Sequence, residues 1–293
     1  MYEGGKHGPS CEKKHMIGKM IYCNPSGGFN DIIVQLVGVT EYAIKYNYSI
    51  ILIPSFYKAS NFADVFDFTN YPCKIYINSE AEALYKKIGE MNFKLNPDRS
   101  ASAFNNKIYP PELILVRRGM MGSKNNVPIN RIRFFSYIKL KDTFKQLVLE
   151  KLAGLPKLYY GIHIRNTDHL SKCTISKVED YLKSITDSPI VVATDNKDTL
   201  NTMCAKFSNI ISTGTLDNIS SEKYLCLHGS FIDQPDNLKN AILDLLIIAN
   251  ASTVKTTLDF GGYSGFSKLI YDLHCDKNLL AGLISVTKSV TMK

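Results

Sequence analysis

Segments with the pattern of strands and helices alternate through the second half of the chain, and this alternation limits its fold more than any other feature. Apolar runs of strand length occupy residues 158–165, 189–194, 209–211 and 253–257. Helical patterns follow them at residues 175–185, 198–207, 238–250 and 263–273. Such alternation predicts parallel β-α-β units, whose ligands bind beyond the carboxyl ends of the strands.

The start of the chain has the same alternation. A strand is predicted over residues 17–23 and a buried parallel strand over residues 49–53. The helix between them is expected to begin near Asn30 or Asp31, because short polar side chains cap the free N–H groups of a helix. One complete β-α-β unit is therefore predicted here.

The middle of the chain is less regular. Helices are predicted over residues 80–90 and 141–153, with a short strand over residues 113–116. A length of 293 residues favours two domains. We predict two Rossmann-like α/β domains with mostly parallel sheets, comprising residues 17–155 and 156–293.

The composition is that of a globular protein, with 45% hydrophobic and 21% charged residues. No apolar stretch reaches the roughly 18 residues of a membrane span. Residues 1–16 lack the apolar core of a signal peptide and are predicted to form a disordered leader. The seven cysteines include no C-x-x-C pair, which argues against a zinc site and a disulfide framework. A cytoplasmic protein of a bacterium or of a virus-infected cell fits these features.

The formal net charge of +8 is compatible with a nucleic acid, an anionic membrane or a phosphate-bearing ligand. The basic residues are nevertheless spread through the chain, and the clusters at Arg117–Arg118 and Arg131–Arg133 are small. A solvated basic surface explains them. Nucleic-acid binding is not expected, because a basic helix and an aromatic ladder are both missing.

The segment from Tyr159 to Asp168 carries the strongest functional signal. Because strand side chains alternate between faces, His163 and Arg165 point to one face of the predicted strand. Arginine presents a planar fork of donors that suits phosphate oxygens, at the end of the strand where a ligand would lie. An internal salt bridge and a satisfied core histidine would produce the same pattern.

Asp244 is the second signal, because it lies in the apolar segment Ala241–Ala249 of a predicted helix. A buried carboxylate needs a strong donor. Guanine offers its N1–H and its exocyclic amino group side by side, whereas adenine and uracil present no such donor pair. The alternative is an aspartate that pairs with a basic residue of the protein.

Three loops can also contact a ligand. Asp195 ends a strand and can face a ribose or a phosphate-bridging group, or it can simply cap the next helix. Ser264 lies in a Gly-rich loop before a helix, where free N–H groups can bind an anion, or where a plain turn suffices. Gly27 and Gly28 permit close backbone approach to a ligand or to the other domain.

Several motifs are missing from the sequence. It contains neither G-x-G-x-x-G nor G-x-x-x-x-G-K-[ST], so dinucleotide and P-loop binding are not supported. A D-x-D motif for a metal-bound nucleotide sugar is also missing. Phosphate charge is therefore expected to be neutralised by Arg165 and helix ends, without a metal and without a cofactor.

Taken together, these segments resemble the fucosyltransferase superfamily, which includes α1,6-fucosyltransferases, nodulation fucosyltransferases and protein O-fucosyltransferases. The segment Gly161–Asp168 is similar to the family motif G-[VI]-H-[VI]-R-R-x-D. The order and spacing agree over residues 158–270, and Gly27–Asn30 agrees more weakly. The other matching segments are Val191–Asn196, Leu243–Asp244 and Thr257–Ser267.

The resemblance implies a GT-B fold, with two Rossmann-like domains facing a central cleft. It also implies metal-independent, inverting transfer of fucose from GDP-fucose to a glycan or glycoconjugate. It places His163 and Asp244 at the guanine and Arg165 at the β-phosphate. The remaining donor-binding residues that it implies are Asp195, Ser264, Gly27, Gly28 and Asn30.

Two departures from the family pattern concern catalysis. Asn166 replaces the second arginine, and Cys173 lies near the place where core α1,6 enzymes carry a glutamate. Asp168 is a candidate for the general base, which can instead come from the N-terminal domain or from the acceptor. A non-catalytic module that binds a GDP-sugar is the main alternative function, and a transferase that uses another nucleotide sugar is a further one.

Overall fold

The structure is a computed structural model that describes residues 19–25, 27–53, 62–90, 95–96, 114–118, 130–166, 172–216 and 236–285. The first half of the chain forms a five-stranded parallel sheet, in the order β4-β2-β1-β6-β5. Its strands are β1 Met20–Asn24, β2 Ser49–Leu52, β4 Ile75–Ile77, β5 Leu95–Asn96 and β6 Ile114–Arg118. A short antiparallel pair joins β3 Phe66–Asp67 to β7 Lys139–Leu140.

Helices pack around this sheet. Their bounds are α1 Phe29–Tyr46, α2 Phe62–Val65, α3 Asn78–Glu90, α4 Arg133–Tyr137 and α5 Asp142–Ala153. Helix α1 begins at Phe29, close to the predicted start near Asn30 or Asp31, but neither of these residues is its N-cap. Gly28 is the N-cap, and the Asp31 carboxylate accepts its N–H at 3.2 Å from within the first turn.

The second half forms a four-stranded parallel sheet in the order β10-β9-β8-β11. Its strands are β8 Tyr160–Ile164, β9 Ile190–Thr194, β10 Ile210–Ser212 and β11 Thr253–Thr256. The helices are α6 Lys172–Lys183, α7 Lys197–Lys206, α8 Asn237–Asn250, α9 Gly265–Cys275 and α10 Lys277–Ile284. The expected alternation of parallel strands and helices is confirmed.

Each face of the second sheet is covered by helices. Ile162 and Ile164 pack in one apolar cluster with Val178 of α6 and Leu200 of α7. On the other face α8 approaches β8 so closely that a Cβ atom on Gly161 would lie 2.9 Å from the Ile248 carbonyl oxygen. Glycine at this position therefore brings α8 directly against the central strand.

The two halves share one hydrophobic core. Its buried residues include Ile21 and Leu36 from the first half and Leu246 and Leu273 from the second. Helix α1 contacts α9, and α10 returns to pack on α4 and α5. The boundary between domains near residue 155 stays a prediction. Within the described residues, every helix is too short or too polar to cross a membrane.

Candidate functional site

Buried polar side chains collect at the carboxyl edge of the second sheet. Their hydroxyl, amide and imidazole groups lie on the strand ends or on the helix starts that follow them. This group comprises His163, Thr194, Asn196, Thr199, Thr213, Thr215, Thr256, Thr257, Ser264 and Ser267. Because buried polar groups are costly without partners, this edge is built for hydrogen bonding rather than for apolar packing.

His163 is held on the face of the sheet that α9 covers. Its Nδ1 atom lies 2.8 Å from the Ser267 Oγ atom, and its ring packs 5.2 Å from that of Phe266. Burial and, to a lesser extent, the positive charge of Arg165 together lower the pKa of His163 to about 3. The imidazole is therefore neutral at physiological pH, and it interacts electrostatically with the Arg165 guanidinium.

The neutral state of His163 predicts acid sensitivity. Its folded pKa of about 3 lies below the unfolded value of 6.5, so the unfolded chain binds more protons between these limits. The contribution of His163 to stability is present above pH 6.5 and is lost as the pH falls toward 3, at up to about 1.4 kcal/mol per pH unit. Free energies of unfolding from urea titrations across this range should fall more steeply for the native chain than for His163→Gln. Equal slopes would contradict the burial argument.

The backbone around Arg165 is fixed on both sides. The Arg165 N–H donates to Thr257 Oγ1 at 2.9 Å, and that hydroxyl donates to the His163 carbonyl oxygen at 3.2 Å. The next N–H, of Asn166, donates to Asp195 Oδ1 at 2.7 Å. The peptide that carries Arg165 is thus tied to the loop after β11 and to the loop after β9.

The side chain and carbonyl group of Asn166 also hold this peptide in place. Its Nδ2 donates to Thr199 Oγ1 at 2.5 Å, and its carbonyl oxygen accepts from Asn196 Nδ2 at 3.2 Å. Asn196 also caps α7 by accepting the Thr199 N–H at 2.9 Å. Asn166, which stands where the resembled motif has its second arginine, therefore supports the loop. Asp195 also supports the loop, because it accepts the Asn166 N–H. Its expected contact with a nucleotide stays a prediction.

Asp244 lies midway along α8 and reaches the loop after β10. Its Oδ2 atom accepts from Thr215 Oγ1 at 3.1 Å, whereas its buried Oδ1 atom has no hydrogen-bond partner in the part of the chain that the structure describes. Burial raises the pKa of Asp244 to about 7, against the lowering effect of the Thr213 and Thr215 hydroxyls. Within the same ranges no basic side chain forms an ion pair with it, so the structure gives no support to the salt-bridge alternative.

His163 on β8 and Asp244 on α8 lie at a similar position along the strand direction. Gly161 faces Ile248, and α8 runs antiparallel to β8 because it connects parallel strands. Two residues along the strand and four residues back along the helix both cover about 6 to 7 Å. Those steps lead to His163 and Asp244, so both residues lie near the carboxyl edge.

The start of α9 meets the start of α1. Ser264 is buried and caps α9 by accepting the Ser267 N–H at 3.2 Å. A Cβ atom on Gly265 would lie 2.4 Å from Asn30 Nδ2, so Gly265 permits this close approach. Asn30 is the second residue of α1. Asn30 therefore packs against Gly265, the residue that follows the predicted site residue Ser264, so the two halves of the chain meet here.

The glycine loop of the first half lies at the same place. Gly27 has a φ of +100°, which glycine adopts without strain, and Gly28 precedes the first turn of α1. Asn30 Oδ1 accepts from Arg131 Nη1 at 2.9 Å. This contact joins residues 101 positions apart in the sequence and was not predicted from the sequence. Asp168, the expected base, lies outside the described residues.

Metal ligands do not cluster in the described ranges, where no three His, Cys, Asp or Glu side chains are placed to hold one ion. The sequence likewise gave no D-x-D motif. A cationic group, Arg165, does act on the buried imidazole, because its charge lowers the pKa of His163. The expectation of metal-independent chemistry remains a prediction.

Comparison with solved structures finds the same architecture in fucosyltransferases. NodZ α1,6-fucosyltransferase soaked with GDP-fucose matches with a TM-score of 0.57 and 14% identity, covering 87% of this chain and 92% of that chain. NodZ from Bradyrhizobium matches with a TM-score of 0.57 and 13% identity, covering 87% and 93%. POFUT1 in complex with GDP-fucose matches with a TM-score of 0.55 and 13% identity, covering 87% and 94%. The chain has the fold of these fucosyltransferases.

This shared fold confirms the GT-B-like architecture that the motifs predicted. No protein-family model and no curated protein sequence matches the chain. The structural match covers 87% of the chain, more than the span of residues 158–270 over which the motifs agree. At such low identity the comparison establishes the architecture, and the chemistry has to be argued from the site.

Proposed function

We propose that the chain is a glycosyltransferase that moves a sugar, L-fucose in the first instance, from a GDP-sugar to a glycan or glycoconjugate acceptor. The observation that carries this proposal is the buried Oδ1 atom of Asp244 near the carboxyl edge of the second sheet, to which no described residue forms a hydrogen bond. The fold shared with structures that contain GDP-fucose or GDP supports the choice of ligand.

Guanine completes the hydrogen bonding of Asp244. Its N1–H and exocyclic amino group are adjacent donors, and a carboxylate accepts both. The Oδ1 atom would gain a partner, while Thr215 continues to hold Oδ2. A ligand that satisfies a buried acceptor removes a desolvation penalty of about 1 to 3 kcal/mol, which a base without this donor pair leaves in place.

Arg165 supplies the positive charge for the diphosphate. The acceptor hydroxyl attacks the anomeric carbon of the sugar, and the bond from that carbon to the β-phosphate oxygen breaks on the opposite side. This displacement inverts the anomeric centre. Negative charge grows on the departing GDP, where a guanidinium on a fixed backbone stabilises the transition state without reorganisation. Asp168 is proposed to take the proton of the acceptor hydroxyl.

The reaction is expected to need no metal ion. Adding EDTA should leave the rate of GDP release from GDP-fucose unchanged, because Arg165 and the start of α9 neutralise the diphosphate in this proposal. A parallel assay with added Mg²⁺ or Mn²⁺ provides the control. A complete loss of activity in EDTA, restored by metal, would contradict the charge argument.

A binding module without catalysis is the second candidate, and Asn166 favours it. Where the related motif has a second arginine, this chain has Asn166, whose side-chain amide and carbonyl oxygen already bond to Thr199 and Asn196. Incubating the protein with GDP-fucose separates the two functions. A transferase releases GDP slowly by transfer to water and faster with acceptor. A binder protects the nucleotide sugar and releases none.

A further inference from the structure

A polar cavity lies apart from the carboxyl edge just described. It has a volume of about 660 Å³ and lies between the turn before α4 and the corner where α9 meets α10. Small-molecule sites usually occupy about 300 to 1,000 Å³, so one or two sugar rings are of the right size. The lining groups that bear on its chemistry are Asn130, Arg131, Lys268, Asp272, Lys277 and Asn278.

The acidic groups of this cavity already have partners. Asp272 forms ion pairs with both Arg131 and Lys268. Asp276 caps α10, because its Oδ1 accepts the Leu279 N–H at 3.0 Å. The carboxylates are therefore committed to the protein, and the cavity retains a positive balance.

Lys277 carries charge that the described side chains leave uncompensated. Its Nζ atom lies 2.9 Å from His274 Nδ1, an atom that also lies 2.9 Å from the Ala249 carbonyl oxygen. No carboxylate in the described ranges comes within ion-pair distance of Lys277. Partial burial lowers the pKa of Lys277, as expected for an ammonium group without an anionic partner.

Arg131 connects the cavity with the proposed transfer site. Its Nη1 donates to Asn30 Oδ1, and Asn30 abuts Gly265 at the start of α9. Its Nε lies 3.6 Å from Asp272 Oδ2, which orients the guanidinium along the cavity wall. A ligand that fills the cavity would thus contact Arg131, which is bonded to Asn30 where the two halves of the chain meet.

We propose that this cavity binds an anionic group, a sulfate, phosphate or carboxylate, on a sugar unit of the acceptor. Lys277 and Arg131 pair with the anion, and the amides of Asn130 and Asn278 bond to the sugar hydroxyls. This inference rests on the proposed transferase function, because it assigns the cavity to the acceptor. It makes the enzyme selective for acidic glycans.

Sugar binding to the full-length protein, saturated with GDP, tests the inference. The probes are N-acetylglucosamine 6-sulfate, N-acetylglucosamine 6-phosphate, glucuronate and neutral N-acetylglucosamine. Binding of each probe is measured from the changes in the backbone amide chemical shifts of the protein. Binding of one or more acidic probes should shift the amides of Arg131, Lys277 and Asn278. Lys277→Gln should weaken that binding by about tenfold, since a charge-assisted hydrogen bond is worth about 1.4 kcal/mol or more.

The control variant is Lys183→Gln, which removes an exposed lysine that pairs with Asp180 on α6. It should bind the probes like the native chain, and GDP affinity should be the same in all three proteins. Equal binding of neutral and acidic probes, or equal weakening by both variants, overturns the inference. If GDP fails to bind while acidic probes still shift the cavity amides, the donor proposal has failed and the anion site stands.

Discussion

Replacing Arg165 with alanine is expected to abolish sugar transfer while the fold remains intact. In the proposed mechanism the side chain stabilises the charge of the departing diphosphate, and removing one such donor group costs about 100- to 1,000-fold in kcat. The backbone contacts of this residue to Thr257 and of its neighbour to Asp195 do not involve the guanidinium, so they survive the substitution. GDP release at saturating GDP-fucose measures the loss, and circular dichroism checks the fold.

Two further variants sharpen this result. Arg165→Lys keeps the charge but loses the planar fork, so it should recover only part of the rate. Arg133→Ala removes an arginine that is exposed and paired with Glu41, and it should behave as the native chain does. Near-normal turnover of Arg165→Ala would refute the phosphate role.

Replacing Asp244 with asparagine should change which nucleotide binds. The amide presents a donor where the carboxylate presented an acceptor, so guanine loses a charged partner worth about 1.5 to 3 kcal/mol. GDP affinity should fall by about 10- to 100-fold, whereas UDP affinity should not change. Calorimetric titration with inosine diphosphate gives the matched ligand control, because it lacks only the exocyclic amino group. An unchanged preference for GDP over UDP would count against guanine recognition.

The same substitution should stabilise the protein without ligand. The folded pKa of Asp244, about 7, lies above the unfolded value of 3.8. Its stabilising contribution is present below pH 3.8 and is lost as the pH rises through 7. Above pH 7 the asparagine avoids a buried charge that no described basic residue neutralises, a gain of up to about 4 kcal/mol. Higher stability with weaker GDP binding marks a ligand-binding residue, whereas a structural aspartate would lose stability.

The second sheet was predictable because each strand is a short apolar run and each helix has its own periodicity. The segment 189–194, for instance, became β9 at Ile190–Thr194. The middle of the chain gave weaker signals, since β4 is three half-buried residues without alternation. Helix α10 was not predicted, because only Asp276 separates it from α9.

The site was predictable where one residue type conflicts with its surroundings. Asp244 in an apolar helix and Arg165 at a strand end both qualify. The partners of these residues were not predictable. Thr215 bonds to Asp244, and Thr257 accepts the Arg165 N–H, each from a distant part of the sequence. The Arg131 contact with Asn30 spans 101 positions of sequence. Such contacts depend on how the halves pack, which local patterns do not encode.

Calorimetric titration of the native chain with GDP, ADP, CDP and UDP tests the central claim most directly. The arrangement of Asp244, His163 and Arg165 predicts that GDP binds tightest by a wide margin, with no metal added. Equal affinity for all four diphosphates, or no binding of GDP, would contradict the assignment of the carboxyl edge to a guanine nucleotide.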